Sequence, residues 1–281
     1  MVCKIALSKY CSIIGKTVTV GIGAAVTSIS ALGTAAVNAY ADYEQLVGGI
    51  ETLFGTRGAK SIEEYADLMQ KTVGDVSGEF EMLEQAQTLA MENAANAYKT
   101  AGMSANDYME TVSGFAASLK QSTTSELEAA QVADMAVKDM ADNANKMGTS
   151  MELIQNAYQG FAKQNYTMLD NLKLGYGGTA TEMARLVNES GVLGDKIIDL
   201  SDKQNIGAAL AEVGLAKIYE AIHLVQDEMG ITGTTASEAS STISGSLAMT
   251  KAAWSNLLVG IADDTQDFDA LIQNLVDSAS I

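Results

Sequence analysis

Histidine is the side chain best suited to moving protons near neutral pH, and this chain has one, His223. It stands in the run Ile222-His223-Leu224-Val225, whose apolar character is typical of a packed helix. Nucleophilic catalysis would also need an activated nucleophile and an orienting acid, and no nucleophile elbow accompanies this imidazole. We therefore interpret His223 as a structural residue and predict no catalytic residue.

Adjacent acidic residues are the other group that could carry acid–base chemistry. They occur as Glu63-Glu64, Asp227-Glu228 and Asp263-Asp264. Neighbouring positions on a helix do not face each other, whereas glycosidase-like hydrolysis needs two carboxyl groups that converge across a cleft. The pairs predict solvated acidic surfaces, and an enzyme hidden in an acidic helical fold stays open as an alternative.

The two cysteines, Cys3 and Cys11, are too few for a disulfide scaffold or a zinc site. The single histidine is distant along the chain, and no HExxH, CxxC or EF-hand pattern occurs. We interpret both cysteines as free thiols in a reducing cytoplasm. The sequence predicts no metal-binding residue and no cofactor.

A glycine-rich stretch, Leu174-Gly175-Tyr176-Gly177-Gly178-Thr179, is the remaining candidate for binding chemistry. Such loops cradle phosphate when a strand leads into them and a lysine follows. No hydrophobic strand precedes this stretch, and no lysine completes the motif. We predict a flexible connector before a helix start at Thr179, with no cofactor-binding residue.

The elements that must carry these residues are helices. No proline occurs among the 281 residues, and proline is the residue that helices tolerate least. Aromatic residues make up only 6% of the chain, so we expect thin helical layers more than a deep core. The predicted fold is all-α, a series of about nine short-linked helices and helical hairpins, partly elongated, with little or no sheet.

Helix starts are marked by a recurring pattern in which Ser or Thr is followed three positions later by an acid. In such a box the hydroxyl accepts from an unpaired backbone N–H, and the acid reaches back to the helix start. A preceding glycine suits the left-handed residue that ends a helix. The boxes are Ser61–Glu64, Ser104–Asp107, Thr123–Glu126, Thr149–Glu152, Thr179–Glu182 and Thr235–Glu238, and the glycines are Gly58, Gly102, Gly148, Gly178 and Gly233.

Apolar residues between these boxes recur every three or four positions, as one face of a helix requires. Such faces run along Phe80–Ala97, Met151–Phe161 and Leu215–Val225, whereas strand-like alternation is confined to Thr17–Ile22. A faint repeat accompanies them, and it predicts a helical unit used twice. At a shift of 46 residues, Gly102, Ser104 and Gly114–Ala116 recur as Gly148, Ser150 and Gly160–Ala162.

Charge divides the chain unevenly. Residues 1–41 carry Lys4, Lys9 and Lys16 and no acid, so the other 240 residues carry −21 while the total is −18. An acidic surface repels phosphate backbones, which argues against sequence-specific nucleic-acid binding. It favours solubility and partners with basic surfaces.

The segment Thr17–Ala41 contains 25 uncharged residues, which is long enough to span a bilayer. Glycines, threonines and serines dilute its hydrophobicity. Three interpretations stay open: a buried or self-associating helix, a membrane-inserting segment, and a cleaved secretory signal with the pattern Ala39-Tyr40-Ala41. We divide the chain into this hydrophobic start (1–41), a helical region containing the repeat (42–178) and a second helical region (179–281).

Four runs of the sequence resemble tape measure proteins from long-tailed phages and prophages of Gram-positive hosts. Lys146–Thr179 looks like a signature run of that family, and Tyr43–Phe54 is similar to the segment after the family's hydrophobic stretch. Tyr98–Val112 and Thr234–Leu258 are similar to it as well. The resemblance covers about residues 15–280 in order.

The resemblance implies a virion structural protein and not an enzyme. Such proteins extend inside the growing tail while tube subunits polymerise around them, so their length sets tail length, and they leave ahead of the DNA at ejection. The implied partners are the tail tube protein, tail assembly chaperones and baseplate or tail-tip proteins, with self-association. The implied location is the tail lumen after assembly in the host cytoplasm, with host membrane contact at ejection.

Members of this family are usually much longer than this chain. Even fully helical, the 281 residues would span only roughly 420 Å. We therefore expect a fragment, a split gene or a decayed prophage copy. The alternative function is a membrane-active helical protein that inserts through residues 17–41 and aids DNA passage.

Overall fold

The computed structural model describes residues 22–239 and 241–279 and is all-α, as the sequence predicted. Helix accounts for 73% of the structure, and no strand occurs within these two ranges. These ranges contain thirteen α-helices, whereas about nine were predicted. Several of the helices are too short to show an apolar residue at every third or fourth position over more than one turn or two. The thirteen helices are α1 (Ile22–Phe54), α2 (Ile62–Met69), α3 (Val73–Thr100), α4 (Ala105–Ser113), α5 (Ala116–Leu119), α6 (Glu126–Met147), α7 (Met151–Ala162), α8 (Ala180–Glu189), α9 (Ile206–Val213), α10 (Leu215–Glu228), α11 (Thr234–Ala239), α12 (Ile243–Ala262) and α13 (Phe268–Ala279), with a 3-10 turn at Leu169–Leu172.

Three of the predicted helix starts are confirmed. Ser61 caps α2, Ser104 caps α4 and Thr179 caps α8, each hydroxyl accepting from the backbone N–H three residues later. Thr72 forms a further complete capping box with Asp75 at the start of α3, which the sequence analysis missed. These starts were predictable because a capping box is a local interaction.

The helix starts predicted at the other three boxes are wrong. Helix α6 is capped by Ser125, and the hydroxyl of Thr123 donates to the carbonyl of Leu119 instead. At α7 the cap position is Ser150, while the Thr149 hydroxyl donates to the carbonyl of Asn171 at 3.0 Å. Helix α11 begins at Thr234, so Thr235 lies inside it. The hydroxyls of Thr123 and Thr149 are bonded to carbonyl groups outside the predicted boxes. At α11, the backbone N–H of Thr235 donates to Asp142. These contacts override the local pattern.

Helix α6 is central to the main core. It packs against α3, α10 and α7. The three predicted apolar faces are confirmed, since their residues point into buried clusters on α3, α7 and α10. The main core contains residues from Ile50 to Ile231, so it includes parts of both predicted helical regions.

The core is deeper than the scarcity of aromatic residues suggested. Six aromatic residues of the main core are at most 2% exposed, and such large side chains supply much of the apolar area that a core buries. Tyr158 and Tyr219 have ring centroids 4.9 Å apart, and Phe115 meets Tyr219 edge to face at 5.5 Å. The six are Phe54, Tyr108, Phe115, Tyr158, Phe161 and Tyr219.

A second group of helices packs beside this core. Helix α12 lies against both α13 and α1, and α1 also contacts α4 and α3. The backbone N–H of Ala105 donates to Oδ1 of the buried Asn256 at 2.8 Å, which fixes the start of α4 against α12. Gly102 has a left-handed backbone (φ 64°), and a Cβ at this position would contact Ala248 and Thr235.

The two copies of the weak repeat begin alike and then diverge. Gly102 and Gly148 both have positive φ, and Ser104 and Ser150 are both helix N-caps. Ser104 forms a full capping box, whereas the Ser150 side chain makes no capping hydrogen bond. Gly114 follows the end of α4, while Gly160–Ala162 lies within α7. The repeat therefore stays a prediction.

Candidate functional site

The densest group of buried polar side chains lies on α6. Asp139, Asp142 and Asn143 are all at least nine-tenths buried, although carboxylates lose favourable hydration when they are removed from water. None of these three residues was predicted as part of a site. A signal was present, because the apolar spacing Ala136–Met140 continues to Asn143, so a polar residue occupies a core-facing position.

His223 lies opposite this group, on α10. Its Nδ1 is 2.8 Å from Oδ1 of Asp139. The Asp139 side chain is 1% exposed and that of His223 is 30% exposed. The hydrogen bond to Asp139 raises the pKa of His223, while partial burial opposes the rise. Burial raises the pKa of Asp139 to about 6 and outweighs the lowering effect of His223.

Asp142 has a separate task one turn further along α6. Its two carboxylate oxygens accept from the backbone N–H groups of Gly233 and Thr235, at 2.6 and 2.7 Å. A carboxylate at this position compensates the positive end of a helix dipole and pairs N–H groups that have no partner within the helix. Asp142 therefore attaches the start of α11 to α6.

Tyrosine and amide groups complete the cluster. The Tyr219 hydroxyl donates to the carbonyl of Tyr158 at 2.8 Å, and Gln226 Nε2 donates to the Tyr158 hydroxyl at 3.3 Å. Burial raises the pKa of both phenols well above the usual value. Three buried oxygens accept no hydrogen bond, Asp139 Oδ2, Asn143 Oδ1 and Gln226 Oε1.

The cluster joins α6 to α7 and α10. His223 and Asp139 contact each other directly across α10 and α6. Four cavities that the structure contains border other residues, and neither member of the pair lines any of them. The contact that His223 makes between two helices is consistent with the structural interpretation, which stays a prediction.

The adjacent acidic pairs are separated in space and lie near helix ends. Glu64 accepts from the backbone N–H of Lys60 at 2.8 Å at the start of α2. Asp227 and Glu228 are exposed in the last turn of α10. Asp263 follows α12, and its Oδ1 accepts from the backbone N–H of Thr265 at 2.9 Å. The structure brings no two of these pairs together into a shared site.

The glycine-rich stretch 174–179 is held by its own neighbours. Arg185 donates to the carbonyl of Gly175 at 3.1 Å and stacks 4.3 Å from the centre of the Tyr176 ring. The N–H of Gly177 donates to Glu182 at 3.2 Å. A Cβ on Gly178 would collide with the carbonyl oxygen of Thr167. Gly178 therefore allows the stretch to pack closely against Thr167. The sequence predicted a flexible connector, whereas the structure shows a stretch with contacts to Arg185 and Glu182.

Several predicted features lie outside the described residues. These are Cys3, Cys11, the three lysines before residue 17 and most of the strand-like run Thr17–Ile22. Within 22–239 and 241–279, no helix is long and apolar enough to cross a membrane. In the same ranges no three His, Cys, Asp or Glu side chains form a group that could hold a metal ion.

Comparison with protein-family models, curated proteins and solved structures gave no match.

Proposed function

We propose that this protein is a structural tape measure protein of a phage tail. The proposal rests on the four sequence runs that resemble that family, and the observation that carries it is their packing. Tyr98–Val112 and Thr234–Leu258 are joined by the hydrogen bond from Ala105 to Asn256, and Tyr43–Phe54 lies on α1, which contacts α4. Three of the four resembling runs thus form one connected helical unit.

The nature of the helix contacts supports a chain that can extend. Helices α3 and α6 pack closely, and alanines are half of the residues that each of them buries. An alanine buries far less apolar area than a leucine, so separating such helices costs less free energy per contact. Extension inside a tube would convert packed helices into a longer array while retaining their internal hydrogen bonds.

The acidic charge suits this role. With a net charge of −18, the extended chain would attract basic surfaces and repel the DNA that enters the tail later. The proposed partners are the tail tube protein, tail assembly chaperones and baseplate or tail-tip proteins, and the proposed location is the tail lumen. Assembly would take place in the host cytoplasm.

An in-frame deletion tests the proposal in the phage or prophage that carries this gene. Removing residues 73–147, which comprise α3 to α6, should shorten tails by about 110 Å if the segment is helical in the tail. Duplicating the same residues should lengthen tails by a similar amount. Tail lengths are measured on electron micrographs, and lengths that do not change in either mutant would refute the proposal.

The alternative is a membrane-active protein that acts through residues 17–41. The observation favouring it is that α1 contains no charged residue from Ile22 to Ala41 and that Val37 is 59% exposed on it. We expect leakage of dye from anionic liposomes with the full chain and none after deletion of residues 1–41. Equal leakage from both proteins, or none from the full chain, would exclude this function.

A further inference from the structure

Buried oxygens without a hydrogen-bond partner are concentrated in one part of the fold. Among residues 22–239 and 241–279, seven buried side-chain oxygens have no partner, and five of them belong to the second half of α6 or to residues 226–235. Buried polar atoms are rarely left unpaired, so this concentration indicates a bound species that pairs several of them. The five belong to Asp139, Asn143, Gln226, Thr232 and Thr235.

Three of these oxygens belong to side chains that are almost fully buried. Asp139 is 1% exposed, and Asn143 and Gln226 are both 0% exposed. The amide nitrogens show which end of each amide is free, since Asn143 Nδ2 donates to the carbonyl of Leu172 at 2.9 Å. Gln226 Nε2 donates to the Tyr158 hydroxyl at 3.3 Å. The unpaired atoms are therefore the acceptors Asp139 Oδ2, Asn143 Oδ1 and Gln226 Oε1.

These three side chains lie where α6 and α10 meet. Asp139 contacts His223 across the two helices. Asn143 follows Asp139 by four residues and so shares its face of α6, and Gln226 follows His223 by three on α10. The helices run in the same direction here, because Asp142, further along α6, bonds to the backbone beyond the end of α10. Asn143 and Gln226 therefore both lie about one turn beyond the contact of Asp139 with His223.

Tyr158, on α7, borders the same space. Its hydroxyl accepts from Gln226. Burial raises the pKa of Tyr158, and the charge of Asp139 raises it further, so the carboxylate lies near the phenol. The phenol thus links the amide of Gln226 on α10 to the carboxylate of Asp139 on α6, and the unpaired oxygens of both residues lie close to it.

The unpaired atoms of these three side chains are all acceptors, which favours a cation over water. A water molecule donates two hydrogen bonds, so it pairs at most two of the three oxygens. A cation attracts all three oxygens at once, and it needs no acceptor in return. The missing partner is therefore a positively charged species.

Buried negative charge points in the same direction. Asp139 and Asp142 are both more than nine-tenths buried and lie three residues apart on α6. Burial raises the pKa of Asp139 to about 6, and the charges of Asp142 and Asp227 add to the rise. In the described ranges, His223 is the only cationic side chain that forms an ion pair with either buried carboxylate. A buried carboxylate is costly unless its charge is compensated, so a cation at Asp139 Oδ2 stabilises the fold.

We propose that Asp139, Asn143 and Gln226 bind a monovalent metal cation, Na⁺ or K⁺, between α6 and α10. Carboxylate and amide oxygens are hard ligands, which zinc-type sites built from imidazole and thiolate do not use. Carbonyl oxygens replace the hydration shell of K⁺ in selective filters. A single carboxylate suits a single positive charge, whereas Ca²⁺ takes about six to eight oxygens, several of them from carboxylates. The site does not depend on the role proposed for the protein in a phage tail.

Stability of the full chain in different salts tests the site. Urea unfolding is followed by circular dichroism at about pH 8, where Asp139 is ionised, in equal concentrations of NaCl, KCl or tetramethylammonium chloride. A ligand that binds only the folded state raises the folded-to-unfolded ratio about tenfold at ten times its Kd. We expect NaCl or KCl to raise the unfolding midpoint in a saturable manner. Tetramethylammonium is too large for the site and should not. Equal effects of the three salts would reflect screening of surface charge and would overturn the proposal.

Substitutions locate the effect. Asp139→Asn removes the charge and keeps the shape, so it should abolish the difference between the metal salts and tetramethylammonium chloride. Gln226→Met removes a ligand oxygen from the other helix and should weaken the apparent affinity for the cation by about tenfold or more. The control is Asp227→Asn, an equal loss of charge at an exposed position of α10, which should retain the difference. The same salt response in all three variants would contradict the site, whether the partner were a water or a proton on Asp139.

The cation is then located directly in the native chain, which does not depend on the folding of a variant. If KCl is the stabilising salt, crystals soaked with Tl⁺, a substitute for K⁺, should show an anomalous scattering peak among the three oxygens. If NaCl is, the native chain should broaden the sodium resonance, and added K⁺ should reverse the broadening only where it competes for the same site. Peaks confined to the surface, or a sodium resonance that Asp139→Asn broadens equally, would reject the proposal.

Discussion

The imidazole of His223 and the carboxylate of Asp139 form a direct hydrogen-bonded pair, 2.8 Å apart, between α10 and α6. The two residues are 84 positions apart in the chain. Asp139 is almost fully buried, and its second oxygen has no partner. His223 therefore provides the hydrogen bond that makes a buried carboxylate tolerable at the centre of the fold.

Removing the imidazole should destabilise the protein. We expect His223→Ala to lower the free energy of unfolding by about 1–3 kcal/mol, since Asp139 would be left buried without its hydrogen bond. The control is Lys217→Ala, an exposed position on the same helix, which should change stability by at most about 0.5 kcal/mol. Urea unfolding followed by circular dichroism measures both, and equal effects would contradict the role assigned to His223.

Stability should depend on pH through this pair. Burial raises the pKa of Asp139 from 3.8 to about 6, so its stabilising contribution is complete below pH 3.8 and is lost as pH rises through about 6. The pKa of His223 is raised above 6.5, so its contribution is complete below 6.5 and is lost at higher pH. Both contributions fall with increasing pH.

The comparison variant for this titration is Asp139→Asn. Exposed cap residues such as Asp75 and Glu182 have lowered pKa values, which make stability rise with pH. Both proteins contain these residues, so the difference between their free energies of unfolding excludes this effect. We expect the native chain to lose stability relative to the variant between about pH 4 and 6 and again above about 6.5. A difference that stays constant in urea unfolding across this range would show that the pair does not titrate as described.

Close packing of α3 makes its alanines sensitive to size. Ala86 has no exposed surface in the main core, so we expect Ala86→Leu to lower the free energy of unfolding by about 1–3 kcal/mol through overpacking. Thr88→Leu places the same new side chain at an exposed position of the same helix and should have an effect within about 0.5 kcal/mol. Thermal unfolding of the two variants provides the test, and similar melting temperatures would mean that this contact is loose.

The glycine-rich stretch allows a matched pair of substitutions. In Gly178→Ala the new methyl group would meet the backbone carbonyl of Thr167, so we expect a loss of about 1–3 kcal/mol of stability. In Gly177→Ala the nearest atom is Glu182 Cγ at an ordinary 3.6 Å, and the effect should be within about 0.5 kcal/mol. If titration with inorganic phosphate stabilised the native chain but not Gly178→Ala, the stretch would be a phosphate site after all.

Local interactions were predictable where nothing distant competes with them. The boxes at Ser61, Ser104 and Thr179 formed as expected, because the hydroxyl and the acid lie within one turn. Thr149 failed as a cap because its hydroxyl bonds to Asn171, 22 residues away. The spacing of residues in the sequence could not predict this hydrogen bond, because it depends on how the 3-10 turn packs on α7.

The amino-acid sequence determined that this protein is helical and which faces of α3, α7 and α10 are buried, because proline content and apolar spacing are properties of neighbouring residues. The tertiary structure alone decided that Asp139 meets His223 and that Gln226 meets Tyr158. These encounters join residues that are tens of positions apart. They follow from the angles at which helices pack, and side-chain volumes throughout the core set those angles together.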